Sequence, residues 1–191
     1  MGESLADQVL RMIGEARQLY HRLILIVGPA GSGKTSALQA VAARASAPLI
    51  NVNLELSRRM LDLTERQRAL QLPRLLQDVC ASSVERQESN LLLLDNLEIL
   101  FDVKLKHDPL RLLQGLSHNK TIVAAWPGSV IDFHGLCHMT EKDDARRVTH
   151  DARRYLTYAV PDHPEYRRDP IRDLIIVFAS SVQRHAPGGQ V

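Results

Sequence analysis

"RLILIVGPAGSGKT", Arg22 to Thr35, decides how the rest of the chain is read. Leu23 to Val27 is an unbroken apolar run, the pattern of a strand buried on both faces. It runs straight into "GPAGSGKT", which satisfies G-x-x-x-x-G-K-[ST] in full. Ala37, Leu38, Val41 and Ala42 then mark one face of a helix. Strand, glycine loop and helix together are the context this motif requires. The glycines let the backbone curl so that its N–H groups converge on phosphate oxygens, and the helix N-terminus adds a positive dipole end. Gly28, Pro29, Ala30, Gly31, Ser32, Gly33, Lys34 and Thr35 are therefore the expected nucleotide-binding set. Lys34 reaches the β- and γ-phosphates, and the Thr35 hydroxyl sits on Mg²⁺. No N-K-x-D guanine signature occurs, so ATP is favoured over GTP by default.

A second acidic motif follows in "NLLLLDNLEILF", Asn90 to Phe101. Asp95 closes an apolar run that reads as a parallel strand. Loops at the C-terminal edge of such a sheet hold its ligands, so Asp95 meets the phosphate loop there and is the expected second metal residue. A lone aspartate after a strand is usually a cap; the preceding phosphate loop makes the metal role the expected one. Many hydrolysing ATPases carry glutamate next, to polarise the attacking water. Here the residue is Asn96, whose amide orients water without taking its proton. Glu98 is the alternative base. On a continuing strand Glu98 lies roughly 6.5 Å beyond Asn96 on the same face; if the chain turns at Asn96, Glu98 is either brought back or left in solvent. The catalytic candidates are thus Lys34, Asn96 and Glu98, and slow or partner-dependent hydrolysis is expected.

The remaining pattern is alternating α/β. Leu5, Val9, Met12, Ile13, Ala16 and Tyr20 have helical spacing, and "PLINVNLEL" from Pro48 reads as a strand. Two helices are expected next, one opened by the Thr64/Gln67 capping box and another with Pro73 in its first turn. Asp108 and Pro109 start a further helix, and "TIVAAW" is a strand ending at Pro127, with Ser129 as the candidate reader of the γ-phosphate. "MTEKDDARRVTHDARRYL" is expected to be a polar helix capped by Thr140, and "YLTYAV" and "DLIIVF" to be strands. This predicts a three-layer αβα P-loop NTPase with a mostly parallel sheet. Residues 1–180 are expected to form one domain and 181–191 a disordered tail.

The formal charge of +2 does not by itself point to nucleic acid, but arginines crowd Arg146–Arg172. A solvated face is the ordinary reading, and contact with DNA phosphate the functional one. Two cysteines, Cys80 and Cys137, give no disulfide framework, which suits a reducing cytosol. No apolar run is long enough to span a bilayer. Arg111 and Arg172 are candidate arginine fingers for a neighbouring subunit's site, against an ordinary surface role. Trp126 reads as core packing. His134, Cys137 and His138 lack a fourth zinc ligand and read as a loop.

"LILIVGPAGSGKT", "PLINVNLELSRR", "LLLLDNLEILFD", "DPLRLLQGLSHNKTIVAAW" and "LTYAVPDHPEYRRDP" together resemble the BrxF family, the small P-loop proteins of type-three BREX bacteriophage-defence systems. The similarity runs from about Leu23 to Asp169. It implies a bacterial cytoplasmic ATPase with an AAA+-like core, acting beside other BREX proteins that include a DNA methyltransferase. A homo-oligomer is expected beside that resemblance: a full helical lid finds no room after the sheet, so a neighbour is expected to complete the site. The chain departs from the family pattern at Pro127, where a polar residue is expected, and in a longer stretch around Val130 to Arg153. Two other functions fit the motifs. One is a small-molecule P-loop kinase, with "DARRVTHDARR" as an arginine-rich lid. The other is a nucleotide switch that binds without hydrolysing.

Overall fold

The computed structural model describes residues 3–87, 89–132, 145–148, 154–158 and 174–179. The first helix, α1 (Leu5–Ala16), buries Val9, Met12, Ile13 and Ala16. Tyr20 was expected on that face, but the helix has ended and the ring is exposed. Strand β1 (Leu23–Gly28) leads into α2 (Lys34–Ala45). Next come β2 (Leu49–Asn51), α3 (Val52–Met60), α4 (Glu65–Gln87) and β3 (Leu91–Asp95). Two short 3₁₀ turns, Glu98–Phe101 and Val103–Leu105, lead to α5 (Pro109–Leu116). The remaining strands are β4 (Thr121–Asp132), β5 (Ala145–Val148), β6 (Arg154–Tyr158) and β7 (Leu174–Phe178).

The sheet order is β2-β3-β4-β1-β7-β5. From β2 to β7 all neighbours are parallel; β5 pairs antiparallel with β7, and β6 pairs antiparallel with the far part of β4. Alternation along each central strand divides the core in two. Leu23, Leu25 and Val27 join α3, α4 and α5 on one face. Ile24 and Ile26 join α1 and α2 on the other. This is the expected αβα sandwich, with the phosphate loop emerging at the C-terminal edge of β1.

Several local expectations need correction. The "PLINVNLEL" strand stops at Asn51, and a helix follows. Ile50, Val52, Leu54 and Leu56 alternate like a strand, but Val52, Leu56 and Met60 also repeat every four residues and are the ones buried. Leu54, the residue that fits only the period-two pattern, stays exposed. Asn51 decides the outcome: it is extended and its side-chain oxygen accepts from the Leu54 N–H at 3.0 Å, an N-cap. The "TIVAAW" strand does not end at Pro127. Its pairing with β1 ends at Gly28↔Pro127, and it then pairs with β6 through Asp132. A residue without an N–H suits the point where a strand changes partner. Ser129 therefore lies inside a strand, opposite Thr157, rather than at a strand end. The expected polar helix from Met139 to Leu156 is also not formed, because Ala145–Val148 is strand β5 and β6 begins at Arg154. Thr140 and residues 180–191 lie outside the described residues.

Pro73 was expected to open a helix of its own. It lies instead within α4, whose start is the Thr64/Gln67 box: the Thr64 N–H donates to Gln67 Oε1 at 2.9 Å. A proline inside a helix removes the N–H that would reach the carbonyl four residues back, here Ala69. His107 replaces that donor, its Nε2 lying 2.7 Å from the Ala69 oxygen. A carbonyl only accepts, so this nitrogen carries the proton. The contact links α4 to the segment entering α5. Replacing His107 with alanine is expected to cost about 1–2 kcal/mol, the usual penalty for a stranded polar group. In a Pro73→Ala background, where the helix supplies its own donor, the same change costs much less. Denaturant melts of the four proteins measure this coupling, and equal costs in both backgrounds contradict the account.

Candidate nucleotide site

Gly31 and Gly33 have φ of 77° and 85°, a region that side chains with a Cβ avoid. Gly28 has a different reason to be glycine: a Cβ there would lie 2.7 Å from Ser32 Oγ and 3.0 Å from Ala179 Cβ. The sharp loop and its close seat on the end of β7 thus require the glycines of the motif. Lys34 begins α2 and turns back into the loop, donating to the carbonyls of Gly28 at 2.7 Å and Pro29 at 2.6 Å and to Ser32 Oγ at 3.3 Å. Burial holds its ammonium below the usual lysine range, while the charges of Asp95 and Glu98 pull it back up. Lys34, Asp95 and Glu98 therefore share one electrostatic neighbourhood.

Asp95 is the last residue of β3 and is buried, 6% exposed. Thr35, in the first turn of α2, is exposed. A hydroxyl and a carboxylate are oxygen donors suited to Mg²⁺, which takes few protein ligands and keeps phosphate and water for the rest. The residues present fit the ion. Among the described residues no group of three or more His, Cys, Asp or Glu side chains forms an all-protein metal cage.

The chain turns immediately after Asp95. Asn96 has φ of 53°, in the left-handed region. Asparagine is one of the few residues with a side chain that enters this region readily. Leu97 then drops into the core, fully buried, and Glu98 opens a 3₁₀ turn. The position after Asp95 thus serves a backbone bend, for which asparagine is suited by conformation.

Asn53, which sequence reasoning missed, fixes this bend. Its backbone N–H donates to the Asn96 carbonyl at 3.0 Å. Its side-chain oxygen accepts from the Ile99 N–H at 2.8 Å, and its amide donates to Glu98 Oε2 at 2.7 Å. The first N–H groups of a helix lack internal partners. In α3 one of them is satisfied by the Asn51 cap and another by the turn after β3. The register Asn51↔Asp95 delivers both segments to the same place. The available sequence signal was "NVN" with Glu55 after it and Arg58 and Arg59 further on, a helix start and end with charges matching the dipole.

The other candidates are placed as follows. Trp126 is fully buried, edge-on to Phe101 at 4.9 Å, and is core. Arg111 is exposed on α5, 3.6 Å from Asp108, and lines a cleft between α4 and α5. Cys80 is buried, which pushes its thiol up to about 12. Arg146 and Arg147 lie on β5 and Arg154 on β6. Arg153, Arg167, Arg168, Arg172, His134, Cys137 and His138 lie outside the described residues. Among the described residues, no helix is long and apolar enough to cross a membrane.

Two substitutions check the site. Lys34→Ala is expected to abolish tight ATP binding with an unchanged circular dichroism spectrum; unchanged affinity contradicts the assignment. Asn96→Gly is expected to melt like the parent, whereas Asn96→Ala and Asn96→Glu lose about 1–2 kcal/mol to left-handed strain. Asn96→Glu is also expected to leave phosphate release no faster, and an increase would show that position 96 is a vacated base position.

Residues 24–118 match the family model described as ATPase family associated with various cellular activities (AAA). No curated protein matches the chain. Among solved structures, AMPPCP-bound DnaA from Aquifex aeolicus is similar at TM-score 0.36 and 20% identity, over 66% of this chain and 40% of that one. The replication initiator DnaA bound to AMPPCP and single-stranded DNA is similar at TM-score 0.35 and 23% identity, over 65% and 39%. The chain thus spans about two fifths of the length of either DnaA structure. Residues 24–118, from β1 through α5, are thus similar to the AAA ATPase family and lie on an α/β P-loop NTPase core.

Proposed function

We propose that the protein is a slow, Mg²⁺-dependent ATPase in which Glu98 is the base and Asn53 holds it. The observation that supports this is the Asn53–Glu98 hydrogen bond beside the phosphate loop, in a neighbourhood where the charge of Glu98 is felt by Lys34. Glu98 takes a proton from the attacking water while that water's oxygen closes on the γ-phosphorus. The bond to the β–γ bridging oxygen breaks, and ADP leaves with the electron pair. Lys34 stabilises charge on the transferring phosphoryl oxygens. Thr35 and Asp95 would hold Mg²⁺, which would supply charge neutralisation at the phosphates. The Asn53 amide donates to Glu98 Oε2 and holds the carboxylate in one orientation, with its other oxygen left to meet the attacking water.

The resemblance to BrxF supports a wider setting: a cytoplasmic homo-oligomer in BREX bacteriophage defence, acting on DNA beside other BREX proteins, including a DNA methyltransferase. The Arg146–Arg172 region is the candidate DNA contact. A phosphate-release assay with and without duplex DNA tests the central reading. Magnesium-dependent release is expected, reduced about 10²- to 10⁴-fold by Glu98→Gln, the usual scale for losing a general base, with ATP binding retained. Release unaffected by that change places the base elsewhere. Tight ATP binding with no release under any condition favours a non-hydrolysing switch, and transfer of the γ-phosphate to a metabolite favours a kinase.

A further inference from the structure

A cleft of about 350 Å³ opens between α4 and α5. It lies at the edge of the sheet away from the phosphate loop, beside the first residues of β3 and β4. Three features separate it from a packing defect. Its floor is apolar, with Leu76, Leu92 and Ile122, while Arg111, His118 and Lys120 stand around it. No aspartate or glutamate lines it. Arg111 has Asp108 as a partner at 3.6 Å, with the arginine exposed. Lys120 is half-buried and makes no ion pair among the described residues. Its charge reaches the floor, where it acts on the Cys80 thiol.

The ring of His118 is held in place. It packs against His21 at 4.6 Å and Tyr20 at 4.9 Å, and the His21 Nδ1 in turn lies 3.1 Å from the Gln114 carbonyl of α5. The third feature is Gly115. It lies within α5, where glycine costs roughly 0.5–1 kcal/mol relative to alanine. Its φ is not positive, and an added Cβ would meet nothing within 4 Å. Neither the backbone nor the packing requires glycine there. Its effect is to keep the side of the cleft open.

We propose that this cleft binds a small organic anion, with a flat apolar body against Leu76, Leu92 and Ile122 and a phosphate or carboxylate head among Arg111, His118 and Lys120. The volume is at the lower end of the range for small-molecule pockets. A lining without carboxylates disfavours a cationic ligand. An apolar floor leaves inorganic phosphate with only half a site, because burying it there strips water without replacing it. The site shares no residue with the phosphate loop, so it is independent of the proposed ATPase chemistry.

The probe is 1-naphthyl phosphate, titrated into the full chain by calorimetry, with 1-naphthol and inorganic phosphate as its two halves. One equivalent is expected to bind, and each half to bind more weakly by a factor of about ten or more, which corresponds to about 1.4 kcal/mol. Binding persists in Lys34→Ala, which separates the cleft from the phosphate loop. It weakens about tenfold in Lys120→Gln. It is lost in Gly115→Leu, whose side chain takes up the open side, while the melting temperature of that variant holds or rises because leucine is the better helix former. Perturbation of the His118 ring signals in nuclear magnetic resonance gives a second readout in the unaltered chain. Absence of binding at millimolar probe, binding that survives Gly115→Leu, loss of binding in Lys34→Ala, or unperturbed His118 signals at saturation would each overturn the proposal.

Discussion

Asn53 makes three hydrogen bonds to the turn after β3, and the geometry of the site rests on them. One side chain and one backbone N–H hold Asn96, Glu98 and Ile99 together. Without such a clamp, a left-handed residue after a buried aspartate is an unfavourable place for a chain to bend. With it, the strand stops at Asp95, Leu97 is delivered to the core, and Glu98 stays at the C-terminal edge of the sheet with Lys34 and Asp95. The clamp depends in turn on β2 pairing beside β3 and on α3 starting directly after β2. Helix capping, strand register and the geometry of the candidate site are therefore one structural problem with one solution.

The same economy appears at the other irregular points. Pro73 deprives α4 of a backbone donor, and His107 supplies one. Pro127 stands where β4 passes from parallel pairing with β1 to antiparallel pairing with β6. In each case the residue that breaks a local rule sits where another segment makes up the deficit. Buried polar groups need partners, and a distant side chain serves as well as a local one.

Much of this was legible in the sequence. The phosphate loop declares itself because its glycines and lysine are needed in fixed order over a few residues. Asp95 was found because a buried parallel strand is a continuous apolar run with a defined end. Asp108 with Pro109, and Thr64 with Gln67, were found because capping is local chemistry. What stayed hidden was tertiary. The strand reading of Val52 to Leu56 failed because a short amphipathic segment can satisfy period two and period four together, and Asn51 chose between them. The role of Asn53 required knowing that β2 lies beside β3. The continuation of β4 past Pro127 required knowing that β6 was there to receive it. Ser129 lies inside the strand for that reason, and the left-handed backbone of Asn96 shows only once the turn after Asp95 is placed.

The account stands or falls on Asn53 acting through Glu98. A double-mutant cycle on single-turnover phosphate release, with Asn53→Ala, Glu98→Gln and both together under saturating Mg-ATP, measures this directly. The account predicts that Asn53→Ala changes the rate while Glu98 is present, and that the double variant releases phosphate at the rate of Glu98→Gln alone. Independent effects that simply multiply in the double variant would contradict it, because Asn53 and Glu98 would then contribute to the site by separate routes.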